Sequence, residues 1–243
     1  MANPLMKLVD KVATEEKVLR ADEIMTVNGT LELTAYLGIV LALSAGIVWT
    51  RFTAGHVDMV YFLTFGGLIG ALISVLLIYL TRAIFFIPVY AICEGLVLGG
   101  ISAIFENSYP GIVSQALAGT FAALFSMLIL YKTKTIRCTQ KFKAVIFIST
   151  LSIAGIYLID FIGSLFGYAV PIISSTTNNG IVFSAVVVVI AALCLIVDFD
   201  YIEKGAENLY PKKAEWFGAY GLIVSLVWIY IEILRLLAKS RER

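Results

Sequence analysis

Seven long apolar runs divide this chain and constrain its fold more than any other feature. Their approximate limits are 34–49, 59–80, 84–105, 112–131, 144–166, 181–197 and 219–237. Crossing the hydrocarbon core of a bilayer takes roughly 20 helical residues, which is close to these lengths. Runs such as SAVVVVIAALCLIV lack the alternation of a barrel strand. The pattern predicts an all-α membrane protein, a seven-transmembrane helical bundle.

The composition supports lipid as the main surrounding of the chain. Of its residues 60% are hydrophobic and only 14% are charged, whereas soluble domains carry charge on about a quarter of their residues. A net charge of +1 provides no field to attract nucleic acid, so no nucleic-acid partner is expected. The three cysteines are far apart in sequence, so neither a disulfide framework nor a metal site nor a cofactor is predicted.

Two regions follow from the charge pattern. Residues 1–30 form a mixed-charge N-terminal segment, and residues 31–243 form the membrane domain. Charged and apolar positions alternate from Lys11 to Met25, which favours an amphipathic helix on the membrane surface. Within the membrane domain, small residues recur four apart and predict close helix packing. These pairs are Gly66 and Gly70, Gly95 and Gly99, and Ala118 and Ala122.

The distribution of basic residues predicts the orientation. Of the 18 Lys and Arg residues, the N-terminal side receives all except Arg51, Arg235, Lys239, Arg241 and Arg243. The positive-inside rule therefore places the N-terminus in the cytoplasm. An odd number of spans would place the basic C-terminal tail outside the cell, which the positive-inside rule disfavours. The last run either crosses the membrane despite this tail, which we favour, or re-enters and returns.

Ionisable residues inside the apolar runs are the candidate functional residues, because each costs on the order of 2.5 to 3.5 kcal/mol at membrane depth. They are Glu94, Asp160, Asp198, Glu232 and Arg235. Glu94 has the most apolar surroundings. Asp198 ends the sixth run and could lie at the headgroup boundary, as could Asp160, and Glu232 and Arg235 are spaced to form a pair on one helical face.

A latch between the second and sixth runs is a further hypothesis. Arg82 follows the second run, on the same side of the membrane as Asp198. An ion pair between them would respond to pH, because protonation of the carboxylate removes the attraction.

Enzymatic function is not expected. His56 is the only histidine and lies in a predicted loop, whereas metal-dependent and rhomboid-type proteases need histidines inside the site. An intramembrane aspartyl protease would need a GxGD sequence beside its aspartates, and the chain has none.

Three segments resemble the Bax inhibitor-1 family in its bacterial branch. They are YAICEGLVLGGISAIFE in the third run, LIVDFDYIEKGAE at the end of the sixth, and WIYIEILRLL in the last. The resemblance extends over nearly everything after residue 26. It implies a multi-pass protein of the bacterial inner (cell) membrane, with the last helix central among the other six.

The resemblance also implies particular site residues. In calcium-leaking relatives, aspartates on the last two spans form a pH-sensing pair, and an arginine from the second span lies nearby. Asp198 matches the first aspartate, Ser225 stands where the second is expected, and Arg82 matches the arginine only by position. Glu232, about 10 Å further along the helix, is a candidate substitute for the missing aspartate.

The expected function is therefore a pH-modulated leak channel for cations, with calcium as the expected permeating ion. The residues assigned to its ion pathway or pH sensor are Asp198, Glu94, Asp160, Glu232 and Arg82. The alternative is a membrane adaptor that modulates a membrane protease or a stress response without conducting ions. A dedicated calcium cage is not expected, because no acidic cluster resembles an EF-hand loop.

Overall fold

The computed structural model describes residues 23–167, 170, 173 and 177–242. Seven helices in this part of the chain are long and apolar enough to cross a membrane, which confirms the predicted all-α bundle. They are α1 (Val27–Thr53), α2 (Val57–Thr81), α3 (Phe86–Ser108), α4 (Ile112–Lys132), α5 (Gln140–Leu165), α6 (Asn178–Glu207) and α7 (Ala214–Arg241). The amphipathic helix predicted from Lys11 falls on residues 11–22, outside the described residues.

Two hydroxyl caps set the first residues of α1 and α5. Thr26 precedes α1 and accepts a hydrogen bond from the backbone N–H of Gly29 at 3.0 Å, and Thr139 precedes α5 and accepts one from Phe142 at 3.2 Å. Each cap satisfies one of the backbone donors that a helix leaves unpaired at its start. The first helix therefore begins at Val27, before the predicted domain boundary at residue 31.

The last helix is continuous over 28 residues, a length of about 42 Å. It crosses the bundle from end to end, so the re-entrant alternative is wrong. Helix α7 packs against α1, α3, α4 and α6, which makes it the central helix that the resemblance implied.

Small residues let α3 approach its neighbours closely. A Cβ atom on Gly95 would lie 2.7 Å from the Cβ atom of Ser44 on α1. On α2, Gly70 faces α3 as predicted, since a Cβ atom on it would lie 2.6 Å from the sulfur of Cys93. Gly66 does not, because a Cβ atom on it would meet nothing within 4 Å, and Gly67 faces α3 instead. The prediction for Ala118 and Ala122 is also wrong, because both residues are exposed on the outer face of α4.

Polar contacts fasten the chain at both ends of the bundle. At the end where α1 begins, here called the N-terminal end, the buried Glu215 accepts hydrogen bonds from the backbone and hydroxyl of Thr26 and pairs with Lys212. At the far end, Arg241 donates to the carbonyl of Pro110 and to Gln115. The basic tail is thus partly tied to the protein, which is consistent with a seventh span that crosses against the charge rule.

Candidate functional site

Helices α6 and α7 run antiparallel and share two polar contacts, one near the middle of α7 and one near its end. The hydroxyl of Ser225 donates to the carboxylate of Asp198 at 2.5 Å, and the ammonium of Lys239 donates to the hydroxyl of Ser184 at 2.9 Å. On each helix, 14 residues separate the two partners. Two heptads return to nearly the same helical face and extend about 21 Å. Both contacts therefore lie on one line between the helices.

The middle of this line holds a third polar residue. Glu232 lies seven residues from both Ser225 and Lys239, and the same register places Ala191 opposite it. We call the line of pairs Asp198 with Ser225, Ala191 with Glu232, and Ser184 with Lys239 the polar seam.

Glu232 has a complete set of donors. It is 1% exposed and accepts hydrogen bonds from the Tyr157 hydroxyl at 2.9 and 3.0 Å, from the Trp228 indole at 3.3 Å and from Arg235 at 3.1 Å. The guanidinium of Arg235 also lies 4.7 Å from the centre of the Tyr157 ring. The predicted pair of Glu232 and Arg235 is confirmed, and its contacts fasten α5 to α7.

Asp198 ends the sixth apolar run but does not end its helix. Helix α6 continues for nine residues beyond it, to Glu207, so its half-buried carboxylate lies about 13 Å along the helix from that end. Among the described residues it forms no ion pair, and its hydrogen bond comes from Ser225. The latch hypothesis with Arg82 is not realised in this structure.

Lys239 was grouped with the basic tail in the sequence but is only 6% exposed. Its ammonium donates to the backbone carbonyl of Gly180 at 3.3 Å as well as to Ser184. The signal that could have identified it is the heptad spacing Ser225, Glu232, Lys239 on one helix.

Glu94 lies on α3, away from the polar seam. It is half-buried and within electrostatic reach of Tyr90, Cys93 and Tyr220. Tyr220 precedes Gly221, and a Cβ atom on Gly221 would lie 3.3 Å from Asp198. Helix α7 therefore stands between the two carboxylates.

The other two predicted residues, Asp160 and Arg82, also lie away from the polar seam. Asp160 accepts a hydrogen bond from the backbone N–H of Val170 at 2.7 Å. Arg82 is exposed at the N-terminal end and borders a crevice with Phe217 and Tyr220. No three His, Cys, Asp or Glu residues of the described chain are grouped to hold a metal ion.

Buried acids near the N-terminal end differ from Asp198 in having basic partners. Asp200 is 2.6 Å from Lys143 and 2.8 Å from Lys204, and Glu215 is 2.9 Å from Lys212. Such pairing is the ordinary solution for a buried carboxylate. Asp198, Glu94 and Asp160 are half-buried acids without a basic partner among the described residues. Of these three, Asp198 is the one that lies on the polar seam, where its partner is the hydroxyl of Ser225.

Comparison with known protein families identifies one that covers this chain. The model of the family described as Bax inhibitor 1 like matches residues 3–242, which is essentially the whole chain. No curated protein and no solved structure gives a significant match.

Proposed function

We propose that this chain, which belongs to the Bax inhibitor 1 like family, is a pH-modulated leak channel for cations, calcium above all. The ions follow the polar seam between α6 and α7, and Asp198 is the group whose protonation modulates the leak. The protein lies in the inner membrane of a bacterium with its N-terminus in the cytoplasm.

The observation that carries the proposal is the position of Asp198, a half-buried carboxylate without a basic partner that meets the Ser225 hydroxyl between α6 and α7. An ionisable group inside a membrane-spanning helix is costly, so its presence there favours a functional role. Asp200 and Glu215 are neutralised by lysines and serve the structure. Asp198 keeps its charge available to an ion.

The chemistry of the polar seam suits a weakly held cation. Asp198 and Ser225 supply carboxylate and hydroxyl oxygens, and calcium prefers oxygen ligands. The absence of a metal cage among the described residues is compatible with conduction, since a conducted ion must leave as readily as it enters. Protonation of Asp198 removes its negative charge and with it the attraction for the cation.

Calcium efflux from loaded liposomes that contain the purified chain tests the proposal. We expect flux above that of protein-free liposomes, and we expect it to change with Asp198→Asn. Glu94→Gln is the matched comparison, because Glu94 is a half-buried acid off the seam. If Glu94→Gln alters the flux and Asp198→Asn does not, the ions take a different route.

The adaptor alternative predicts a different result. Residues 24 and 25 are fastened to the loop after α6 by contacts of Ile24 with Pro211 and of Met25 with Tyr210. Removal of residues 1–22 alone leaves these contacts intact. An adaptor would lose its cellular activity in this truncated chain, and neither it nor the full chain would conduct calcium.

A further inference from the structure

Lys239 is a buried cation whose hydrogen-bond partners among the described residues are all neutral. Its ammonium is hydrogen-bonded to the Ser184 hydroxyl at 2.9 Å and to the Gly180 carbonyl at 3.3 Å, and it forms no ion pair among the described residues. A buried lysine usually has a carboxylate partner. A fixed positive charge therefore remains at the far end of the polar seam.

The charged groups around Lys239 do not cancel this charge. Its own helix contributes Arg235, Glu232 and Glu242 to its electrostatic surroundings. Glu232 is already paired with Arg235. Glu242 keeps its charge but is exposed at the end of the helix, where water screens it. On the facing helix α6, the contacts with Lys239 are the neutral oxygens of Gly180 and Ser184.

The two oxygens around the ammonium are of the kinds that coordinate metal cations. Hydroxyl and carbonyl oxygens line many cation pathways. The Lys239 ammonium lies within hydrogen-bond distance of both oxygens. It is attached to the helix and cannot leave.

We propose that Lys239 is a tethered cation that closes the far end of the polar seam and rejects divalent ions more strongly than monovalent ions. This inference depends on the proposed leak function. A cation that reaches Ser184 meets a like charge, and the repulsion doubles with the charge of the ion. Lys239 would thus keep the calcium leak small and set its selectivity.

The test measures calcium and potassium efflux from liposomes that contain the wild-type chain or the Lys239→Met variant. We expect calcium efflux to rise by about tenfold or more, as follows from a modest reduction of the barrier, and potassium efflux to rise less. Lys239→Arg retains the charge and should keep calcium efflux close to the wild-type rate.

Arg241→Met is the matched control at the same end. Arg241 is exposed, and its contacts are with Pro110 and Gln115 outside the seam, so its loss should leave both rates unchanged. Circular dichroism checks that each variant is folded. If Lys239→Met does not fold, Lys239→Gln makes the same comparison while retaining a hydrogen-bond donor for Ser184.

The outcomes separate the two proposals. If calcium efflux is the same in Lys239→Met as in the wild type, the role of Lys239 is overturned and the leak function stands. The same conclusion follows if calcium and potassium efflux rise equally. Efflux no greater than that of protein-free liposomes in both proteins overturns the leak function, and the role of Lys239 with it.

Discussion

Ser225 on α7 donates a hydrogen bond of 2.5 Å to Asp198 on α6. The contact joins a buried hydroxyl, 8% exposed, to a half-buried carboxylate. It links the two helices that share the polar seam, at the position where the resemblance to calcium-leaking relatives implies a second aspartate. A neutral donor here leaves Asp198 as the only acid of the pair.

This contact should contribute to stability in a way that depends on both partners. We expect Ser225→Ala and Asp198→Asn each to weaken the association of α6 with α7. Their effects should be less than additive in the double variant, with a coupling of about 0.5 to 2 kcal/mol, as for hydrogen bonds between membrane helices. Unfolding in detergent micelles measures it. Strictly additive effects would mean that the hydrogen bond contributes nothing.

Loss of Arg235 alone should destabilise the protein more than loss of the charges of both Arg235 and Glu232. Arg235→Met leaves Glu232, which is 1% exposed, without its cation. The Arg235 side chain is 33% exposed, so we expect a loss smaller than the roughly 3 to 5 kcal/mol of a fully buried pair. The double variant Arg235→Met with Glu232→Gln should recover most of this loss. Denaturant unfolding in micelles compares the variants, and a double variant less stable than Arg235→Met would contradict the expectation.

Gly66 and Gly95, which each begin a pair of glycines four residues apart, should respond differently to substitution. Gly95→Ala places a methyl group 2.7 Å from the Ser44 Cβ atom and closer still to the Leu41 carbonyl, so we expect a loss of about 1 to 3 kcal/mol from overpacking. Gly66→Ala is the control, because nothing lies within 4 Å of its added methyl group. Thermal unfolding should separate the two variants. Equal melting temperatures would show that α1 and α3 are not closely packed at Gly95.

Cys138 provides a test of orientation. It lies in the loop between α4 and α5 at the N-terminal end, whereas Cys93 and Cys194 lie within helices. If the N-terminus is cytoplasmic, a membrane-impermeant maleimide should label Cys138 in inside-out vesicles and not in intact spheroplasts. Ala54→Cys, in the exposed loop at the far end, is the control and should show the reverse pattern. Labelling of Cys138 from outside would invert the proposed orientation.

The rate of this labelling should also depend on pH in a defined direction. Burial, followed by the nearby Asp200 carboxylate, raises the pKa of the Cys138 thiol above its ordinary value. The thiolate is the reactive form, so at a given pH less of it is present than for an exposed thiol. We expect the labelling rate to continue rising at pH values where an exposed thiol is already fully reactive.

The spans could be predicted from sequence because a membrane helix is defined by length and apolarity, which are local properties. The distance of Asp198 from the end of its helix could not be predicted, because polar residues extend α6 to Glu207 beyond the apolar run. The apolar run therefore ended before the helix did. In the same way, Gly66 and Gly67 are equivalent in sequence, and only the rotation of α2 against α3 decides which of them faces its neighbour.

The candidate site could be predicted in part. Asp198 and Glu232 stood out as charges inside apolar runs, and the structure places both on the polar seam. Lys239 did not stand out, because a basic residue near the end of a chain resembles an ordinary tail. Its burial depends on the packing of α7 against the start of α6, a contact between residues 55 positions apart.

The most direct test of the central claim is calcium efflux from liposomes across a series of pH values, with the wild-type chain and Asp198→Asn compared side by side. The account predicts efflux that depends on the protein and varies with pH in the wild type, and that loses this variation in Asp198→Asn. No efflux above that of protein-free liposomes, or an Asp198→Asn variant with the wild-type pH profile, would contradict it.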